Sequence, residues 1–211
     1  TGIEDFNSLE NLWCYNNQIT NLDISQNTNL WGLMAGNNQI NSLELSNNIN
    51  LRELNIYNNL LTNLDLSNNT ILTHLTCYNN LLTSLDLSNN ADLEQLFCGG
   101  NLLTSLDISQ STTLNYLGCQ GNELTNLDLS NNYSLVSFFC QNNQLINLDL
   151  RNGNNTNISN FYATGNTNLE CIDVDDPSYS ATNWINIDAW TSFSSNCATA
   201  FGCTDSTAFN Y

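Results

Sequence analysis

A mainly β solenoid with two parallel sheets, about eight coils and little helix is the fold class this 211-residue sequence predicts. Three observations carry that prediction. The string LTNLDLSNN stands at 61–69 and again at 124–132, LTSLDLSNN stands at 82–90, and close copies stand at 19–27, 40–48, 103–111 and 145–153, a spacing of 21 residues or its multiples. Within each period an L-x-L or L-x-C triplet alternates with period two, as a strand with one buried face does. The half-periods are too short to hold a helix and its turns.

Residues 72–93, LTHLTCYNNLLTSLDLSNNADL, show the unit. The first half reads L-x-x-L-x-C-x-x-N and the second L-x-x-L-D-L-S-x-N, so each coil is expected to carry two short strands, one per side. Coils stacked at about 4.8 Å, the distance between neighbouring strands, bring their inward Leu and Ile side chains into one continuous core. Tight corners leave backbone N–H and C=O groups unpaired, and burying them unpaired is costly. Two Asn columns meet that need, since a carboxamide both donates and accepts. One runs Asn17, Asn38, Asn59, Asn80, Asn101, Asn122, Asn143; the other runs Asn27, Asn48, Asn69, Asn90, Ser111, Asn132.

Cys77, Cys98, Cys119 and Cys140 share a column with Cys14, Ala35 and Ile56. They are expected to be small buried hydrophobes with free thiols. In-register side chains keep their Cβ atoms beyond the usual disulfide separation of about 3.5–4.5 Å.

The half-repeat resembles the leucine-rich repeat family, whose signature is L-x-x-L-x-L-x-x-N. The likeness covers residues 1–174 and is nearest the short 21-residue class with nested halves, common in secreted bacterial proteins of the Bacteroidetes type. The eighth copy, ISNFYATGNTNLECIDV at 158–174, drifts and follows an insertion, RNGNNTN. A stack needs a lid over its last coil, and residues 175–200, with Tyr179, Trp184, Ile187, Trp190, Phe193 and the one proline, Pro177, resemble the C-terminal cap of such proteins. Cys171 takes an outward place where other coils have Ser or Asn, and Cys197 lies in the lid. A disulfide between them is expected, which implies an oxidising compartment. Residues 201–211, FGCTDSTAFNY, resemble the start of a further Gly-Cys-Thr-Asp module, with Cys203 paired beyond it. The opening TGIEDFNSLENL resembles the join to an N-terminal cap, so one module of a longer secreted or surface-displayed chain is expected.

Charge narrows the partners. Against 20 Asp and Glu stand only Arg52 and Arg151, a formal net charge of -18. Nucleic acid and anionic membrane surfaces are thereby disfavoured, since both are held by Lys and Arg. No apolar run approaches the roughly 20 residues of a membrane span.

The two walls differ. The second strand shows the same outward residues in every coil, including the column Asp23, Glu44, Asp65, Asp86, Asp107, Asp128, Asp149. A face that never varies is scaffold, or binds something itself periodic. Ser and Thr hydroxyls donating to the carboxylates would explain the stripe. Calcium bridging Asp65, Asp86, Asp107 and Asp128 is the sharper alternative, and no other cofactor is indicated. The first strand varies. Its outward and flanking positions bring Trp13, Tyr15, Trp31, Met34, Tyr57, His74, Tyr78, Phe97, Tyr116, Phe139 and Tyr162 onto one face, mixed with glycines. Exposed aromatics mark interaction sites, although aromatics on a sheet also stabilise it by cross-strand packing. The single histidine, His74, has no nucleophile beside it, and no phosphate loop or zinc spacing occurs, so an enzyme is not indicated. The sequence points to a recognition or adhesion module for a protein partner. A glycan-binding module and a plain spacer are the alternatives.

Overall fold

A computed structural model describes residues 2–200. The expectations for residues 201–211 and Cys203 lie outside the described residues. The strands, in chain order, are β1 (Asn11–Trp13), β2 (Gly32–Met34), β3 (Glu53–Asn55), β4 (His74–Thr76), β5 (Gln95–Phe97) and β6 (Tyr116–Gly118). They continue with β7 (Asn126–Asp128), β8 (Ser137–Phe139), β9 (Asn147–Leu150), β10 (Asn160–Tyr162), β11 (Cys171–Val174) and β12 (Ser192–Ser194). Eight form a parallel first wall in the order β1-β2-β3-β4-β5-β6-β8-β10, and β7, β9, β11 and β12 form a parallel second wall. Pairing in the first wall advances by one period per strand, Asn11 to Gly32 to Glu53 to His74. The last step, Ser137 to Asn160, takes up the insertion, whose slack is wound into a short 3-10 turn, Asn155–Asn157.

The second wall corrects the expectation of two strands in every coil. Its ladder exists only from β7 onward. Upstream, Leu64 and Leu66 are buried with Asp65 exposed between them, so the alternation holds without pairing. Alternation fixes which side chains are buried. It does not by itself bring neighbouring backbones within hydrogen-bonding distance.

The core is the expected one. Leu33, Leu54, Leu75, Leu96, Leu117 and Phe138 stack behind the first wall, and Ile24, Leu45, Leu66, Leu87, Ile108, Leu129 and Leu150 behind the second, all buried. Burying each such side chain contributes roughly 2 kcal/mol. Both Asn columns are buried apart from Asn17 in the first coil, which is exposed, but they work differently. Asn80 Nδ2 donates to Cys77 O (3.1 Å) and Ile56 O (3.0 Å), while its Oδ1 accepts from Leu61 N (3.1 Å). Asn69 in the second column donates to Asn48 O (2.9 Å) and Leu45 O (3.3 Å), but its Oδ1 has no partner. Only the first column both donates and accepts. A third Asn column passed unnoticed in the sequence. Asn16, Asn37, Asn58, Asn79 and Asn142 turn each corner at positive φ, the left-handed region that Asn and Gly tolerate, and Gly100 and Gly121 stand in for them in the coils between.

At the downstream end, Asp176 caps a short helix, α1 (Pro177–Asn183), by accepting from Ser178 N and Tyr179 N. Trp184 then packs on Phe161, ring centroids 4.5 Å apart, and its Nε1 donates to Ile158 O (3.2 Å). Asn186 bridges Tyr162, and β12 pairs with β11. The lid therefore continues both walls, and the solenoid has about nine turns instead of eight. Cys171 and Cys197 are joined by a disulfide across 26 residues, which fastens a final turn of helix, α2 (Cys197–Ala200), to β11. Cys171 is buried by this bond, not exposed as its outward place suggested. Cys77, Cys98, Cys119 and Cys140 are free and buried, and burial pushes the Cys98 thiol up to about 12.

Candidate binding surface

The aromatic residues singled out in the sequence lie on the outer side or rim of the first wall, but they form two different arrangements. In register along the wall run Trp13, Met34, Asn55, Thr76, Phe97, Gly118, Phe139 and Tyr162. In the downstream half the rings pack on one another. Tyr116 leans into the space above Gly118 and bridges its neighbours, with centroids 4.5 Å from Phe97 and 5.3 Å from Phe139, and Phe139 stacks on Tyr162 at 5.2 Å. Phe97, Tyr116, Phe139 and Tyr162 are half-buried as a result. The reading of this half as an open aromatic surface needs that correction: each ring covers the next, because glycine beside it leaves room to lean.

The upstream half is open at its first coil, while Met34, Tyr57 and Tyr78 are half-buried like the downstream rings. Trp13 is 72% exposed and Tyr15 49% exposed, and with Met34, Asn55 and Tyr57 they line a depression of about 290 Å³. Tyr57 is fixed from three sides. It stacks on Tyr78 at 4.9 Å, it accepts from Asn37 Nδ2 (3.1 Å), and its ring lies over Gly36, where an added Cβ would come within 2.3 Å of it. Asn55 Oδ1 is shielded from solvent and has no donor. Trp31 stands apart at the wall's rim, where it shares a depression with Arg52, Glu10 and Ile71. His74 lies between Glu53 and Gln95 in register, its Nδ1 2.9 Å from Thr73 Oγ1. The sequence reading also missed a corner stripe of exposed Leu60, Leu81 and Leu102, hidden because Leu at those positions looks like core.

On the second wall each acidic residue holds a turn. The carboxylates of Asp23, Glu44, Asp65, Asp86, Asp107 and Asp128 accept the backbone N–H of the Ser two residues on, at 2.9–3.0 Å. That backbone bond, joined by the Ser hydroxyl, holds Asp65, Asp86 and Asp107 below the usual carboxylate range. Among the described residues no group of three or more His, Cys, Asp or Glu is placed to hold a metal ion. The only ion pairs among the described residues are those of Arg151, with Asp149 and with Asp173 at 3.8 Å. No described helix is long and apolar enough to cross a membrane.

This architecture is that of a leucine-rich-repeat solenoid. The chain is similar to the functional domain of InlJ from Listeria monocytogenes, described as including a cysteine ladder, with 27% identity over 82% of this chain and 51% of that one and a TM-score of 0.53. A leucine-rich-repeat protein of Leptospira interrogans matches with 26% identity, 91% and 46% coverage and a TM-score of 0.66. The internalin InlF of Listeria monocytogenes matches with 27% identity, 78% and 48% coverage and a TM-score of 0.59. The chain spans about half the length of each of these structures. No family model matches the chain, and no curated protein matches it in sequence.

Proposed function

We propose that this chain is a secreted or cell-surface recognition module that binds a protein partner through the upstream half of its first wall. The observation that carries the reading is the exposure of Trp13 and Tyr15 beside the fixed ring of Tyr57, on the one wall whose outward residues change from coil to coil. Large aromatics held in place but left uncovered supply contact area at little entropic cost, which is how interface hot spots are built. The likeness to internalins supports an interaction scaffold. The Cys171–Cys197 bond suits an oxidising compartment. We read residues 1–174 as the repeat unit and 175–200 as its cap.

The experiment is capture of partners from candidate cell extracts by the wild-type chain and by a Trp13→Ser, Tyr15→Ser double variant. The expected result is a protein retained by the first and lost by the second. Equal retention by both would favour the spacer reading, and capture abolished by glycosidase treatment would mark the ligand as a glycan.

A further inference from the structure

We propose that the depression between Trp13, Tyr15, Met34, Asn55 and Tyr57 receives a cationic side chain, Lys or Arg, from a basic segment of the partner protein. This rests on the reading of the first wall as the binding surface and names the chemistry of what it takes. Four observations converge on it.

The depression is lined by three aromatic rings and a thioether. A ring face carries negative electrostatic potential, and a guanidinium or ammonium placed over it is attracted, most strongly by Trp. Asn55 lines the depression, and its Oδ1, turned away from solvent, has no donor. An apolar side chain entering here would leave that oxygen unpaired, whereas an N–H donor would satisfy it once the amide turns toward the cavity. One ring of the site is preorganised, because Tyr57 is held by Tyr78, Asn37 and the backbone of Gly36 before any ligand arrives. Finally, the chain carries a net charge of -18, and Arg151 is already engaged by Asp149 and Asp173. Arg52 is the one cation near this end, and Glu10 lines its depression while Glu53 follows it in sequence. A basic segment is therefore drawn toward the molecule and an acidic one repelled.

General attraction to the acidic second wall would also draw a basic peptide, so the test separates the two sites. The probe is a synthetic Gly-Arg repeat peptide, titrated calorimetrically against the folded chain, beside the same peptide with citrulline in place of Arg. Citrulline keeps the shape and removes the charge. The expected result is binding of the Arg peptide, weakened about ten-fold by citrulline and about ten-fold by Trp13→Ala, the order a partly desolvated cation–π contact supplies. Trp13 is surface-exposed, so that variant keeps the fold. An Asp65→Asn, Asp86→Asn, Asp107→Asn variant should shift the affinity by no more than about two-fold, as screened distant charges do. Loss in the triple Asn variant with full retention in Trp13→Ala would overturn the proposal, as would equal binding of the citrulline peptide. If a protein partner still depends on Trp13 and Tyr15 while neither peptide binds, this inference falls and the first-wall reading stands.

Discussion

Asp65 Oδ1 accepts the backbone N–H of Ser67 at 2.9 Å, and the same contact recurs a period later between Asp86 and Ser88. This explains why the string LDLSNN is so constant. The carboxylate closes a turn that each coil needs, and it does so on the outside, where a short polar acceptor is the only group that both faces water and reaches back to the chain.

The turn needs an acceptor, and the charge strengthens the bond. Asp86→Asn should therefore lower the melting temperature near neutral pH, because the bonds from Ser88 that favour the charged form outweigh the repulsion from Asp65. Asp86→Ala should lower it at any salt. Thermal melts of the two variants at low and high ionic strength check both statements.

The same stripe sets the response to acid. Folded-state carboxyls lowered below their unfolded value stabilise the fold above the ordinary carboxylate range, and that contribution is lost as pH falls through the depressed folded value. Unfolding followed by intrinsic fluorescence should be flat through neutral pH and set in only below about pH 4. A triple Asn variant at 65, 86 and 107 should show a shallower acid limb.

Asn80 makes three buried hydrogen bonds to the backbone of two coils. Asn80→Ala leaves those groups unpaired and should cost about 2 kcal/mol of unfolding free energy. Asn69→Ala should cost less, because Asn69 uses only its donor side. Denaturant titrations of the pair give the comparison directly.

The lid is held by chemistry as well as by packing. Closing a loop of 26 residues, the Cys171–Cys197 bond should contribute about 3 kcal/mol, lost on reduction or in Cys197→Ser. The buried Cys ladder should stay unreactive toward iodoacetamide until the chain unfolds, since burial keeps those thiols protonated.

Gly36 is the narrow point of the candidate site. An added methyl would meet the Tyr57 ring at 2.3 Å. Gly36→Ala should push that ring off Tyr78, cost about 1–2 kcal/mol and diminish the near-ultraviolet circular dichroism of the stacked tyrosines.

Much of this was legible in the sequence. The period gave the solenoid, and the L-x-C triplets with their Ala and Ile counterparts located the strands of the first wall, because burial and alternation are local consequences of side-chain pattern. The extent of the second wall was not legible, since whether two buried-and-exposed segments pair depends on how far apart the coils stand there. The αL corner was readable in principle from Asn16, Asn37, Asn58 and Asn79 giving way to Gly100 and Gly121, the two residue types that share positive φ. The division of the aromatic face was harder. Tyr116 and Phe97 sit in different columns, and only the lean of one ring over Gly118 brings them together. Nothing in the spacing distinguishes such a self-covering stack from the open rings of Trp13 and Tyr15.

Hydroxyl-radical footprinting of the side chains, free and with a captured partner, tests the two-wall account most directly. In the free chain Trp13 and Tyr15 should be oxidised fastest, Phe97 and Tyr116 more slowly, and Phe138 hardly at all; with partner bound, Trp13, Tyr15 and Met34 should become protected while Ile146 on the opposite wall stays reactive. Protection of Ile146 with Trp13 unchanged, or a free-state Trp13 as inert as Phe138, would contradict it.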